Sequence, residues 1–422
     1  MRKFWKTITN KEVSKKILFT LLILIIYKIG VNLTVPNTYM DYISFESGSV
    51  FSLMNMFGGG ALSKYSVFSL GISPYITAGI IVQLLAMGVI PILTDWQEEG
   101  ENGKRKTEKV TRWLGFFMAA VQAFALTWSF DNQYGLLLSS TWRSYLLTTA
   151  ILTTGSMILV WLGDMITAHG IGNGISMIIT AGIISSLPST FQSTWSQVFA
   201  NGYTPWGITK FVGFVLVYLF LIFMVIVIEG AEKRIPIRYT SGGTTSAGSK
   251  MSYLPIKLNS AGVLPIIFAQ TLLAVPVSIA GLFNYNAYTT LSNLFNLSSI
   301  SGMIIYALLT FGFAFLYTHM ILDEEEMAKN LKKSQGFIPN VRAGKDTIKH
   351  IAKVINSTTI YGAIGITCLA LLPYILSSIS SLSTVTALGG TGIIIIVGVA
   401  TDTLSQLDTV VVENKYSTWL KK

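Results

Sequence analysis

Long apolar runs alternate with polar segments along the chain, and the runs outlast any ordinary strand. A helix needs roughly 20 mainly apolar residues to cross the hydrocarbon core of a bilayer. Runs of that order fall at about 17–35, 67–92, 113–130, 145–166, 174–188, 211–229, 260–283, 302–322, 356–377 and 385–404. None alternates with the period of two that marks a half-buried strand. The pattern predicts an all-α integral membrane protein with ten transmembrane helices and no strands. The run at 174–188 is short, and those at 67–92 and 260–283 contain proline, so these three are the least regular.

Composition agrees with that reading. Of the 422 residues 51% are hydrophobic and 12% charged, against about a quarter charged in soluble domains; mean hydropathy is +0.58. A net charge of +10 would suggest nucleic acid in a soluble protein. Its placement suggests topology instead. Ten spans leave both termini on one side, and the segments on that side hold 26 of the 30 lysines and arginines. Lys64, Arg143 and Lys210 fall on the other side, and Lys28 lies within the first run, where it can snorkel to the headgroups. Positive charge favours the cytoplasmic face, which puts both termini in the cytoplasm. The first run follows a basic arm and has no small-residue cleavage site, so it reads as a retained anchor. The one cysteine, Cys368, leaves no disulfide framework or cysteine metal cluster.

Two polar loops exceed what topology needs. Residues 230–259 combine the basic "EKRIPIRY" with a Gly/Ser/Thr tip, and residues 323–355 run through "GFIPNVRAG". Polar loops of about 30 residues in a compact protein are usually functional or disordered. The ordered character of these two favours a docking surface.

Chemistry is sparse. His169, His319 and His350 are not spaced with a second histidine or a carboxylate as a metal site requires. "HGIGNGIS" at 169–176 lacks the strand and third glycine of a dinucleotide loop. A secondary carrier of a small solute is the rival reading. Carriers of that kind place ionisable groups near the midplane, whereas Asp164, Glu229, Asp323 and Asp402 all sit at the ends of runs.

The stretch "GISPYITAGIIVQLL" at 71–85 is unusual for a helix that only fills a membrane. Pro74 removes a backbone donor and disturbs the helix, and Gln83 interrupts the apolar run. Ile72, Ile76 and Ile80 share one face, and Ile175 and Ile179 repeat the stripe after "GIGNG". Spacing alone assigns both stripes to ordinary packing.

Seven motifs in order then change the picture: "FSLMNMFGGGALSKYSVFSLGISPYITAGIIVQLL" (51–85), "EEGENGKRK" (98–106), "GIGNGISMIITAGI" (170–183), "KRIPIRY" (233–239), "LPIKLNSAGVLPIIFAQT" (254–271), "KNLKKSQGFIPNVRAG" (329–344) and "LGGTGIIIIVGV" (388–399). Together they resemble the SecY/Sec61 protein-conducting channel family, its bacterial branch in particular, over nearly the whole chain. The resemblance implies two inverted five-helix halves, residues 1–190 and 191–422, around a central pore in the bacterial cytoplasmic membrane. It implies a pore ring of Ile72, Ile76, Ile175, Ile179, Ile267 and Ile395. It implies a plug at about 50–62 that includes Val50, Phe51, Leu53, Met54, Met56 and Phe57. A lateral gate would lie between the second and third spans and the seventh and eighth, with Gln83, Gln122, Gln270 and Thr271 as its polar facing. Lys233, Arg234 and Arg342 correspond to basic docking positions for a SecA-type motor ATPase or the ribosome. SecE and SecG are the implied partner subunits, signal peptides and unfolded secretory proteins the implied substrates, and no cofactor is implied. The sequence departs from the family at "NVRAG" for "GIRPG", at "GGTGII" for "GGTSLL" and at "AHGIGNG" for "ERGIGNG". A principal channel and an accessory one both remain open.

Overall fold

Helices occupy all ten apolar runs in the computed structural model, which describes residues 11–39, 45, 49–199, 205–239, 252–283, 285–342, 344–380 and 384–420. The membrane helices are α1 (Lys11–Val31), α3 (Ser73–Ala86), α5 (Glu101–Tyr134), α6 (Trp142–His169), α7 (Gly174–Val198), α8 (Pro205–Gly230), α9 (Leu264–Phe283), α11 (Ile300–Ile321), α13 (Lys345–Ser380) and α14 (Thr384–Leu420). Between them lie four shorter helices, α2 (Val50–Phe57), α4 (Pro91–Glu98), α10 (Tyr285–Phe295) and α12 (Glu324–Lys333). Among the described residues, seven helices are long and apolar enough to cross a membrane, and α3 and α9 are shorter apolar helices.

Pro74 does not kink the second span; it starts it. The residue sits in the first turn of α3, where its missing N–H has no intrahelical acceptor to lose and its fixed φ suits the helix. Residues 67–72 precede α3 as turns, with Ser156 Oγ donating to the Gly71 carbonyl at 2.9 Å. The resulting helix of 14 residues is about 21 Å long at 1.5 Å per residue, short of a bilayer core. The fifth span is longer than the run at 174–188 predicts. Helix α7 has 25 residues and continues through Pro188. Its second half is rich in serine and threonine, whose hydroxyls donate back to carbonyls three or four residues earlier, as Thr190 and Thr194 do at 3.1 and 2.8 Å. Such groups carry their own partners into the membrane.

Lys28 is exposed, and its Nζ donates to Ser185 Oγ on α7. One further expectation needs correction, because strands are present. Strand β1 (Glu232–Tyr239) pairs antiparallel with β2 (Ser252–Lys257) and, at Arg238 and Tyr239, with β3 (Gly336–Phe337). The two polar loops therefore form one three-stranded sheet, ordered β2-β1-β3. Ile235 and Ile237 alternate inward along β1 and pack with Ile256, Leu331, Ile338, Ile351 and Ile355. Pro236 lies where β1 has a neighbour on one side only, a position that tolerates its missing donor. The loop tip at 240–251 falls outside the described residues.

The main core lies between α2, α3, α7, α8, α9, α11, α13 and α14 and includes Leu53, Met56, Ile179, Ile267, Tyr306 and Ile395. Helix α9 also packs against α3 and α5. Ala123 and Leu126 of α5 meet Ala274 and Val277 of α9 in a second cluster.

Candidate functional site: a constriction between two cavities

Two cavities approach each other in the middle of the molecule. The larger, about 370 Å³, is lined by Lys104, Glu108, Asn173 and Gln83 and lies at the end of the molecule where α5 and α7 begin. The smaller, about 40 Å³, is lined by Leu53, Met54 and Phe57 of α2. Ile76, Ile179 and Ile267 line both. They come from α3, α7 and α9, so three separate helices each contribute one aliphatic side chain to the wall between the cavities. Residues of this kind offer water no hydrogen bond, and a constriction built from them resists wetting.

The other expected ring residues are placed differently. Ile72 precedes α3 and lines only the smaller cavity, and Ile175 lines only the larger. Ile395 lines neither; it is fully buried in the main core with Leu53, Met56, Ile179 and Ile267.

Helix α2 covers the smaller cavity. Ser49 caps it, its side chain accepting from the Ser52 N–H. Gly59 and Gly60 end it in a turn with φ of 65° and 88°, which side chains rarely adopt. Leu53 and Met56 join the main core, while Phe51 packs with Phe130. The helix rests against α7, α9 and α14. At Gly182 of α7 an added Cβ would stand 2.1 Å from the Phe57 carbonyl oxygen, and at Gly392 of α14 it would stand 3.4 Å from Met56 Cε. Gly182 makes room for α2, whereas Gly392 makes room chiefly for Ile183 of α7, whose Cγ2 would lie 2.5 Å from its added Cβ.

The four polar gate candidates do not share one role. Gln83 lines a crevice with Phe268 of α9 and with Phe313 and Tyr317 of α11, so it lies on the seam between α3 and those helices. Gln122 on α5 is buried. Gln270 donates from Nε2 to Tyr306 Oη at 3.1 Å, a bond between α9 and α11 that does not cross the seam. Thr271 donates to the carbonyls of Ile267 and Phe268 in its own helix at 3.0 and 3.1 Å. Both line the smaller cavity.

Lys233, Arg234 and Arg342 are exposed. Arg234 Nε lies 2.7 Å from Glu232 Oε1, and its guanidinium stacks 4.7 Å from the Tyr253 ring centroid. The Glu232 hydrogen bond raises the pKa of this already basic group. Arg342 stands in the loop before α13, where its carbonyl accepts from Thr347 Oγ1 at 2.9 Å.

Among the described residues, no group of three His, Cys, Asp or Glu is arranged to hold a metal ion. Asp164 pairs with Arg112 at 3.0 Å, and Glu229 accepts from Asn259 Nδ2 at 2.9 Å. Sequence reasoning passed over Tyr27, Ser73 and Leu70, which also line the smaller cavity, and Lys104 and Glu108 of the larger. Tyr27 carried a usable signal, a polar tip within an apolar run.

A family model described as SecY matches residues 66–404. A relative from Staphylococcus epidermidis named protein translocase subunit SecY is 38% identical, covering 98% of this chain and 98% of its own. A solved structure described as a protein conducting channel superimposes with a TM-score of 0.66 at 20% identity, covering 95% of this chain and 93% of the other. Sec61 in a canine ribosome-channel complex does so with a TM-score of 0.61 at 20% identity, over 95% and 93%.

Proposed function

The chain belongs to the SecY family, and on that premise we propose how its residues perform the work of a protein translocase channel. It is the pore-forming subunit through which unfolded polypeptides cross the membrane and from which apolar segments leave sideways into lipid. One observation carries the assignment of its waist: Ile76, Ile179 and Ile267 border the cavities on both sides. Ile72 and Ile175 flank that waist, and Ile395 supports it from behind. The ring excludes ions because it offers them no ligand, and it parts around a chain because it makes no specific bond to one.

Helix α2 is the plug, and the seam of α3 and α5 against α9 and α11 is the lateral gate, with residues 1–190 and 191–422 as the two halves. The large cavity is then the cytoplasmic vestibule, and the positive-inside count supports placing the sheet and both termini on that side. The sheet presents Lys233 and Arg234 from one loop, and Arg342 follows β3 in the other, which supports a shared docking surface for a SecA-type motor or the ribosome. SecE and SecG complete the complex in this reading. Energy comes from the partner, since this chain has no nucleotide-binding motif. Co-purification from native membranes tests the assembly: SecE, SecG and a SecA-type ATPase are expected to accompany the chain, and recovery of the chain alone under mild detergent would refute it.

A further inference from the structure

The cavity beneath α2 is apolar over most of its wall, yet three polar atoms around it have no partner in the protein. They are Tyr27 Oη, Ser73 Oγ and Gln270 Oε1. Tyr27 and Gln270 are each 2% exposed. Gln270 has committed its amide N–H to Tyr306, which leaves its carbonyl oxygen for the cavity. The Tyr27 hydroxyl lies at the meeting of α7 with the turn after α2, 2.9 Å from a Cβ built on Gly182 and 3.4 Å from one on Gly59. A buried polar group left unpaired costs about 1–3 kcal/mol, so three around one small space form an unstable arrangement unless something joins them.

We propose that this cavity is a water site, in which ordered waters are held by Tyr27, Ser73 and Gln270. A volume of 40 Å³ has room for at least one water at about 30 Å³ each, and each buried water needs two to four polar partners. The waters join Tyr27 on α1 and Ser73 on α3 to Gln270 on α9, across the seam that separates when the gate opens. They latch the closed state without either half sending a side chain across. Ile76, Ile179 and Ile267 stand between this site and the vestibule, so the pocket is wet while the waist stays dry. The latch rests on the proposed plug and gate; the occupancy of the cavity does not.

The experiment has two arms, both on the complex in lipid nanodiscs or planar bilayers. In radiolytic hydroxyl-radical footprinting, Met54 lines the cavity whereas Met56 packs into the apolar core. Met54 is expected to oxidise several-fold faster than Met56, and to keep that rate when a radical scavenger is added to bulk solvent. Equal rates, or full suppression by the scavenger, would overturn the water site. The second arm measures resting ion leak in Tyr27→Phe and Ser73→Ala, each of which deletes one hydroxyl at constant backbone. A water latch predicts a rise of about five- to tenfold, the scale of one lost hydrogen bond, at unchanged membrane abundance. A leak that is unchanged or reduced would overturn the latch, because replacing an unsatisfied hydroxyl in an empty cavity relieves a cost. Deletion of α2 serves as the reference: if it too leaves the leak unchanged, the plug assignment has failed and the latch with it.

Discussion

The Phe57 carbonyl oxygen at the end of α2 lies 2.1 Å from the point where a Cβ on Gly182 would stand. Only glycine allows this approach of α2 to α7, so Gly182→Ala must push α2 from its seat or bend α7. More frequent openings are expected in planar bilayers, several-fold above wild type. Gly182→Val should exceed Gly182→Ala, and equal conductance in all three proteins would show that the contact does not hold the plug.

Ile76→Asn places an amide where the two cavities meet, and an increase in ion leak of about tenfold or more is expected from wetting of the constriction. Export of proteins with defective signal sequences should rise with it. Ile395→Asn should behave differently. Its side chain lies in the core away from both cavities, so burying an unpaired amide there costs on the order of 1–3 kcal/mol and lowers the amount of folded protein. Single-channel recording beside quantitative membrane blots separates the two effects.

Deleting residues 50–57 removes α2 and leaves all ten membrane helices in place. Inserted protein at near wild-type abundance, with a higher open probability, is expected. Loss of insertion would make the segment part of the scaffold.

Arg342→Glu is expected to weaken binding of the motor or ribosome about tenfold or more while sparing insertion, as measured with purified partner and channel in nanodiscs. Arg342→Lys should recover part of the affinity, because an ammonium keeps the charge and loses the bidentate fork. Arg234→Lys also loses a planar stack on Tyr253, so it should cost more than Lys233→Arg.

Ile237→Asp puts a charge into the cluster beneath the sheet, where Ile237 is 3% exposed and meets residues from both loops. The loss of one buried isoleucine is worth about 1.5–3 kcal/mol, and the unpaired carboxylate adds to it. Limited proteolysis should then cleave both loops at once. Cleavage confined to 230–259 would show that the loops fold independently.

The membrane part of this architecture was legible because a bilayer imposes one length scale on every apolar run. All ten runs became helices, and even their irregularity was foreseen in α3, although Pro74 begins that helix where a kink was expected. The sheet escaped detection because its strands are short. "RIPIR" and "YLPIK" each alternate for a few residues inside charged loops, and prolines mask the period. The partner of β1 that links the loops is a two-residue strand nearly a hundred positions away, which no local pattern could reveal. Ile76, Ile179 and Ile267, which the family resemblance implied as ring residues, each border both cavities, yet spacing alone assigned the α3 and α7 stripes to packing. Facing is a tertiary property: Ile267 and Ile395 are both aliphatic, both fully buried or nearly so, and only one borders the cavities. The polar residues followed the same rule, with Gln83 on the seam and Gln270 turned to its neighbour Tyr306.

The antiparallel pairing of Tyr239 with Gly336 has a mechanical consequence. The hairpin of β1 and β2 joins α8 to α9, and the segment carrying β3 joins α11 to α13. Tied together, they make a single handle for four membrane helices. A pull on either loop is therefore shared by both, and reaches α8, α9, α11 and α13 together.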